Sequence, residues 1–237
     1  MVASSHFART VDVRSRPTHP RLMATQKVGV LGSGQVGQVL ADGFLKHGYE
    51  VMRGSRDPSK LAKWKAEAGA KASVGTFAEA ARFGEMIVLG VKGTGAEETV
   101  GLCGDGLDGK VVLDATNPLA DAPPVNGVLA YFTGPNESLM ERLQKRAPAA
   151  RFVKAFSSVG SAFFVNPELP ARPTMFICGK DSSAKDVARA LLDKFGWDTE
   201  DCGGVEAARA IEPLCMLWCI PGLSRNDWSH AFKVLRP

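Results

Sequence analysis

No run among the 237 residues stays apolar for the roughly 18 positions that a membrane-spanning helix requires. The five cysteines (Cys103, Cys178, Cys202, Cys215 and Cys219) have no CxxC spacing and no histidine beside them. That pattern argues against a disulfide scaffold or a metal centre and predicts reduced thiols packed as small core hydrophobes. Excess charge of one sign is also scarce. The formal net charge is +4, but four arginines and one acid precede Lys27, which leaves the remainder near +1. Nothing there suggests a nucleic-acid surface. Repeats and low-complexity tracts are absent. A catalytic dyad is missing as well: His6 and His19 fall before Lys27, His47 ends a predicted helix as a dipole partner, and His230 is near the C-terminus. With 45% hydrophobic and 23% charged residues, the chain has ordinary globular composition and enough length for one domain with a small appendage.

What the chain does have is concentrated between Lys27 and Arg56. The apolar run Val28, Val30, Leu31 leads into Gly32-Ser33-Gly34-Gln35-Val36-Gly37. Val36, Val39, Leu40, Gly43 and Phe44 then recur at helical spacing, Gly48 closes the helix, and Glu50-Val51-Met52-Arg53 forms a second strand. A strand, a glycine turn, a helix and a parallel strand in about 30 residues is the unit that grips a dinucleotide pyrophosphate. Gly32 permits the sharp turn, Gly34 lets the backbone approach phosphate, and Gly37 allows close helix–sheet packing. The helix's first N–H groups lack internal partners, so they and the helix dipole face the anion.

The end of the second strand selects the dinucleotide. A site for NAD places an acid there to hold the ribose 2′-hydroxyl. This chain has Gly54-Ser55-Arg56-Asp57-Pro58-Ser59-Lys60 instead. Arg56 can donate two parallel bonds to a 2′-phosphate, Ser55 one more, and Lys60 adds a point charge. Asp57 is expected to cap the helix that Pro58 begins. The expected cofactor is therefore NADP(H).

Beyond this unit, strands alternate with helices. A helix spans Lys60–Gly69, with Leu61 and Trp64 on one face, and a short extended piece covers Ala72–Val74. Thr76, with Glu79 three residues on, caps a helical turn. Glu85–Gly90 is a strand carrying a continuous apolar run from Met86, followed by the predicted flexible loop Val91-Lys92-Gly93-Thr94-Gly95 and a helix through Val100. Lys110–Pro118 forms a strand with a polar tip, residues 119–135 a long loop, and Asn136–Arg146 a helix capped by Asn136. Arg151–Phe156 makes a sixth strand, ending at Ser157–Ser161. Thr174–Cys178, Ser182–Phe195 and Trp197–Cys202 continue as strand, helix and edge strand. Glu206–Ile220 is a helix apolar on nearly every side, disturbed by Pro213, for which a partner subunit would supply cover. The fold class is α/β: a Rossmann-like, doubly wound parallel sheet with a small C-terminal α/β extension. In such sheets ligands gather at the carboxyl ends of the strands, here Val91-Lys92, Thr116-Asn117-Pro118 and Ser157–Ser161.

In order along the chain, GVLGSGQVG, the GSRDP turn, VVLDATNPL, VKAFSSVG, the run from MFICGKD to GW, GGVEAARAIEPLCMLW and AFKVL resemble the coenzyme F420-dependent NADP oxidoreductases and their relatives, including the reductase domain of the STEAP metalloreductases. The resemblance covers about residues 27–236. It implies a Rossmann-like NADP domain over 27–160, a C-terminal subdomain over 161–237 completing the sheet and the acceptor site, and a homodimer. It also implies pyrophosphate contacts from Ser33 to Val36 and a 2′-phosphate held by Ser55, Arg56 and Lys60. Val91, with Lys92 beside it, Asn117-Pro118 and the Ser157–Ser161 loop, Ser161 included, would flank the nicotinamide. Deazaflavin-using members usually carry Val-Pro-Trp or a similar apolar trio after the fourth strand. This chain has Val91-Lys92-Gly93 there, and a serine pair, Ser157-Ser158, where many relatives have Asn-Thr.

Hydride transfer between two rings needs little from side chains beyond orientation and exclusion of water. The leading expectation is transfer between NADP(H) and a flavin- or deazaflavin-like small molecule. One alternative is reduction of a small imine or carbonyl, as in pyrroline-5-carboxylate reductase, with Lys154, Lys92, Ser157 or Ser158 as proton donor; Lys154 is equally readable as a surface ammonium. The other is NADP(H) sensing without turnover. Asp114 is expected to brace its strand tip, and Met216 and Trp218 to be core residues that could also line an acceptor pocket. Residues 1–26, rich in arginine and serine and poor in acids, are expected to be a disordered or targeting tail, or to precede a start at Met23. The expected location is cytoplasmic, or an organelle if that tail is a transit segment.

Overall fold

Six parallel strands form the central sheet, in the order β3-β2-β1-β4-β5-β6. The structure is a computed structural model and describes residues 26–237; the remainder of the tail, with His6, His19 and Met23, lies outside the described residues. The strands are β1 (Lys27–Leu31), β2 (Glu50–Gly54), β3 (Ala72–Gly75), β4 (Met86–Leu89), β5 (Val111–Asp114) and β6 (Arg151–Lys154). Every residue of β4 and β5 is buried, as a sheet covered on both faces requires. On one face α1 (Gln35–Lys46) and α6 (Ser182–Lys194) pack Leu40, Phe44, Ala188 and Leu192 against Val28, Val30 and Val88, with Trp64 of α2 (Ala62–Glu67) in the same cluster. On the other face α3 (Phe77–Phe83), α4 (Ala96–Leu102), α5 (Leu139–Arg146) and α7 (Ala208–Ile211) cover Leu31, Ile87, Leu89 and Val112. The strand order reverses between β1 and β4, which leaves a crevice at the carboxyl ends of those strands.

Several local expectations are met. Asp57 caps the turn begun by Pro58, accepting from the Ser59 N–H at 3.1 Å. Thr76 and Glu79 form a reciprocal capping box. Others are corrected. Ser138, not Asn136, caps α5: its hydroxyl accepts from the Glu141 N–H, and the Glu141 carboxylate reaches back to the Ser138 N–H. The segment after β4 is not an open loop but a 3-10 turn, Gly93–Gly95, leading directly into α4. It lies tightly on the neighbouring strand tip, where a Cβ on Gly93 would stand 1.9 Å from the Asn117 carbonyl oxygen. Pro213 does not merely disturb the C-terminal helix. It starts a new one, α8 (Pro213–Arg225), directly after α7, because proline fits the first turn, where no N–H is needed.

The C-terminal part joins the sheet differently from expectation. β7 (Thr174–Ile177) and β8 (Asp198–Asp201) form a separate parallel pair. They meet the main sheet at one antiparallel bridge, Lys154 with Cys178. The chain crosses β6 at that point instead of running beside it: a Cβ on Gly179 would lie 2.6 Å from the Phe152 carbonyl. The final segment folds back on this pair, with the Thr174 N–H donating to Phe232 and the Val234 N–H to the Thr174 hydroxyl. The cysteines are not uniformly core residues. Cys103, Cys178 and Cys215 are buried, Cys219 is half-buried and Cys202 is exposed, since β8 lies at an edge. Burial pushes the Cys103 and Cys178 thiols up to about 12, so both stay protonated at neutral pH.

Candidate functional site

The glycine turn is built as the strand–turn–helix pattern requires. Gly32 has φ +152°, and a Cβ there would approach the Gly90 carbonyl to 2.5 Å; only glycine tolerates both. A Cβ on Gly37 would meet the Gly32 carbonyl at 2.5 Å, which explains why α1 can sit so close to the strand. At Gly34 the direction of a Cβ is free of protein atoms within 4 Å. Gly34 is also the N-cap of α1, and no side chain caps it, so the helix presents its first-turn amides to whatever enters from that side.

A pocket of about 270 Å³ opens at this point. It brings together Ser33 and Gly34 of the turn, Ser55, Arg56 and Lys60 after β2, and Val91 and Lys92 after β4, with Asp57, Phe77, Glu98 and Thr99 among the other walls. Ser55 is buried, whereas Arg56 is exposed and pairs with Glu98 at 3.1 Å. Lys92 pairs with Asp121 across the mouth of the crevice. Gln35 and Val36 sit at the start of α1, solvent-facing and half-buried respectively. The residues present suit a dinucleotide carrying an extra phosphate: an uncapped helix start, an open Gly34, and two cations with a hydroxyl beside them.

The remaining predicted site residues cluster at the tips of β5 and β6, outside that pocket. The Asn117 side-chain amide donates to the Ser157 carbonyl at 2.9 Å, tying the two tips together. Gly93 against the Asn117 carbonyl packs these tips onto the turn after β4. Asn117 Oδ1 and the Ser157 hydroxyl are buried without a partner among the described residues. Pro118 and Ser158 are buried and Ser161 half-buried. The residue ahead of this loop, Phe156, is held at φ +61° with its N–H against the Met175 sulfur at 3.1 Å, a backbone conformation that costs a non-glycine residue about 1–3 kcal/mol. Trp218 stands behind the same loop, where a Cβ on Gly160 would be 2.3 Å from its ring. It is a core wedge, with its indole N–H bonded to the His230 carbonyl.

Lys154 is not a surface ammonium. Its side chain is 0% exposed; Nζ donates to the Thr116 carbonyl (2.9 Å) and forms ion pairs with Asp114 (2.7 Å) and Glu212 (2.8 Å). Burial pulls its pKa down, but the two carboxylates outweigh that and hold it above the ordinary lysine value. Asp114 braces the strand tip as expected, accepting from the Thr116 N–H and hydroxyl. Sequence reasoning missed two residues. Glu212 accepts from Lys154 and from the Leu139 and Met140 N–H groups; its signal was a lone acid between Ile211 and Pro213 in an apolar run. Arg53, a cation inside a buried strand, donates to the Gly32 and Gly34 carbonyls at 3.2 Å each. No group of three or more His, Cys, Asp or Glu suited to a metal occurs among the described residues, and no described helix is long and apolar enough to cross a membrane.

Residues 27–118 match the family described as NADP oxidoreductase coenzyme F420-dependent. The F420-dependent NADP reductase of Methanothermobacter marburgensis is 30% identical over 202 residues, covering 81% of this chain and 90% of that protein. The metalloreductase STEAP3 of Rattus norvegicus is 29% identical over 203 residues, which cover 83% of this chain but only 38% of the longer rat protein. A crystal structure from Arthrobacter sp. FB24, provisionally described as an F420-dependent NADP-reductase, superposes with a TM-score of 0.83 at 27% identity, over 90% of this chain and all of the other. Shared sequence along nine-tenths of the Methanothermobacter reductase, on the same fold, makes this chain a member of the coenzyme F420-dependent NADP oxidoreductase family, and so an NADP-dependent oxidoreductase.

Proposed function

We propose that this oxidoreductase transfers hydride between NADP(H) and a flavin- or deazaflavin-like small molecule held at the tips of β5 and β6. The observation that carries the reading is the convergence of Ser55, Arg56 and Lys60 on the pocket beneath the open Gly34 turn. In this reading the turn from Gly32 to Gly37, with Gln35 and Val36, seats the pyrophosphate. Ser55, Arg56 and Lys60 hold the 2′-phosphate. Val91, Lys92, Asn117, Pro118 and Ser161 border the nicotinamide, and the unpartnered Asn117 Oδ1 and Ser157 hydroxyl supply hydrogen bonds there. The nicotinamide carries the hydride when bound; the chain's own work is to orient it and exclude water. Should the acceptor be an imine or carbonyl, the buried hydroxyls of Ser157 and Ser158 would be the proton donors, with Lys154 bracing the neighbouring strand tip. The C-terminal subdomain forms the acceptor side, and two copies pair through α8.

The test has two parts. Replacing Arg56 with alanine removes charge-assisted bonds worth about 1.5–3 kcal/mol. NADPH affinity should therefore fall roughly 10- to 100-fold, while NADH affinity stays within about twofold. Equal losses for both cofactors would remove the 2′-phosphate assignment. NADPH consumption by the unmodified protein is then followed with a flavin, coenzyme F420, and a panel of imines and ketones. Turnover with the ring acceptors supports the proposal. Turnover confined to imines or ketones, or binding without any consumption, overturns it in favour of a carbonyl reductase or an NADP(H) sensor.

A further inference from the structure

The reading just given assigns the exposed cations of the pocket but leaves a buried one unexplained. Arg53 lies in the middle of the sheet, in register with Val30 on β1 and Val74 on β3, and is 1% exposed. A guanidinium taken out of water is expensive unless a carboxylate accompanies it. None does: its side-chain hydrogen bonds run only to the Gly32 and Gly34 carbonyls, and Nε has no partner among the described residues. Asp42, whose field reaches it, is bonded instead to the indole N–H of Trp64 at 2.6 Å. The guanidinium carbon lies over the Trp64 ring, 4.8 Å from its centroid. Burial pulls its pKa down, with Asp42 opposing, but an arginine remains charged at neutral pH.

Those two carbonyl bonds have a geometric consequence. In a planar trans peptide the C=O and the following N–H point in opposite directions. Holding the Gly32 carbonyl on Arg53 therefore turns the Ser33 N–H the other way, toward the side where Ser33 and Gly34 line the pocket; the Gly34 carbonyl also accepts from the Gln38 N–H at 3.0 Å, so Arg53 and the first turn of α1 together fix the direction of the Gln35 N–H. One side chain thus does two things to the same turn: it helps to aim these amides, and it brings beside them a positive charge that no carboxylate bonds among the described residues.

We propose that Arg53 is a positioning residue for the phosphate turn and that its missing counter-ion is the pyrophosphate of the bound dinucleotide. This rests on the NADP(H) reading but makes a distinct claim. Arg56 serves the 2′-phosphate and discriminates between cofactors, whereas Arg53 acts on the group that all dinucleotides share.

The experiment is calorimetric titration of the whole protein with NADPH, NADH and ADP-ribose, for the unmodified chain, Arg53→Met and Arg53→Lys, with a thermal melt of each unliganded protein. Methionine fills much of the same space without charge. It should weaken all three ligands by a common factor of about tenfold or more, beyond any change in the unliganded melting point, since removing an unpaired buried charge offsets the lost carbonyl bonds. Lysine keeps the charge without the fork and should lose less, roughly three- to fivefold for each ligand. Unchanged affinities beside a lowered melting point would reduce Arg53 to a structural strut. A loss confined to NADPH, or lysine falling as far as methionine, would also overturn the proposal. If Arg53→Met does not fold, Arg53→Lys decides alone: a loss common to all three ligands supports the counter-charge, and unchanged or NADPH-only affinity refutes it. Failure of the unmodified protein to bind NADPH would instead sink the cofactor reading itself.

Discussion

Glu98 shares the phosphate pocket with Arg56 and pairs with it at 3.1 Å, yet the two side chains are 57% and 69% exposed. A pair so wet contributes about 0–1 kcal/mol, so a 2′-phosphate with two negative charges can displace it. The carboxylate then remains beside the phosphate and repels it. Glu98→Gln is therefore expected to tighten NADPH about two- to fivefold at low salt, an effect that shrinks as ionic strength rises, and to leave NADH nearly unchanged. A fluorescence titration that finds NADPH weakened would make Glu98 part of the ligand's grip. The contrast between legible and hidden site residues follows from sequence distance. Gly32, Gly34, Ser55, Arg56 and Lys60 lie in or just after one strand–turn–helix–strand unit with a recognisable motif, so residue type and spacing expose them; Arg53 lies in the same unit, but its contact with the turn depends on β2 pairing beside β1. Arg53 acts on carbonyls 21 and 19 residues away, and Glu212 on amides 73 and 72 residues away. Neither partner is set by local pattern, and both side chains sit in runs that look merely apolar.

At the scale of elements, the start of α5 shows how the C-terminal segment holds the strand tips. The first four N–H groups of a helix lack internal partners, and here side chains satisfy all four. Glu141 accepts from Ser138, Ser138 from Glu141, and Glu212 from Leu139 and Met140. Glu212 simultaneously pairs with Lys154, which is bonded to Asp114 and the Thr116 carbonyl. One carboxylate thus locks α5, the junction of α7 and α8, and the tips of β5 and β6. Glu212→Ala should cost about 3–5 kcal/mol, as expected for removing one partner of a buried ion cluster, measured by urea unfolding. Lys154 has a raised pKa, so its stabilising share is complete below its ordinary value of 10.5 and is lost only as pH climbs through the higher folded value. The penalty of Glu212→Ala is accordingly expected to be flat across neutral pH. A penalty that vanished near neutrality would contradict a charged Lys154. The six strands of the main sheet were legible because their apolar runs alternate with helical spacing. The α5 cap was displaced by two residues although Ser138-Leu139-Met140-Glu141 has capping-box spacing, since Asn136 offers a competing cap type with no tertiary contact to favour it. The β7–β8 pair could not be foreseen as a separate sheet, because the close crossing of Gly179 over Phe152 is a tertiary fact.

For the molecule as a whole, the phosphate pocket and the C-terminal helix make separable demands. Every residue lining the pocket lies between Ser33 and Thr99 of one chain, so on the proposed reading the adenosine end needs no second copy. α8 is different. Its apolar sequence turns Cys215, Trp218 and Gly222 inward, yet Leu217 remains 54% exposed and Leu223 39%. Trp228, 39% exposed just past the helix, packs onto Gly222. Leaving such half-exposed side chains in water forgoes about 1 kcal/mol apiece, which pairing of α8 across two copies would recover. Leu217→Glu places a charge at the most exposed of these side chains without altering Trp218 or the Gly160 loop behind which Trp218 stands. Light scattering should then report a monomer where the unmodified protein is a dimer, with NADPH affinity retained within about twofold and turnover reduced if α8 pairing shapes the acceptor side. A monomeric unmodified protein would refute the pairing, while a dimer that survives Leu217→Glu would move the interface to another face and leave the pocket's independence intact.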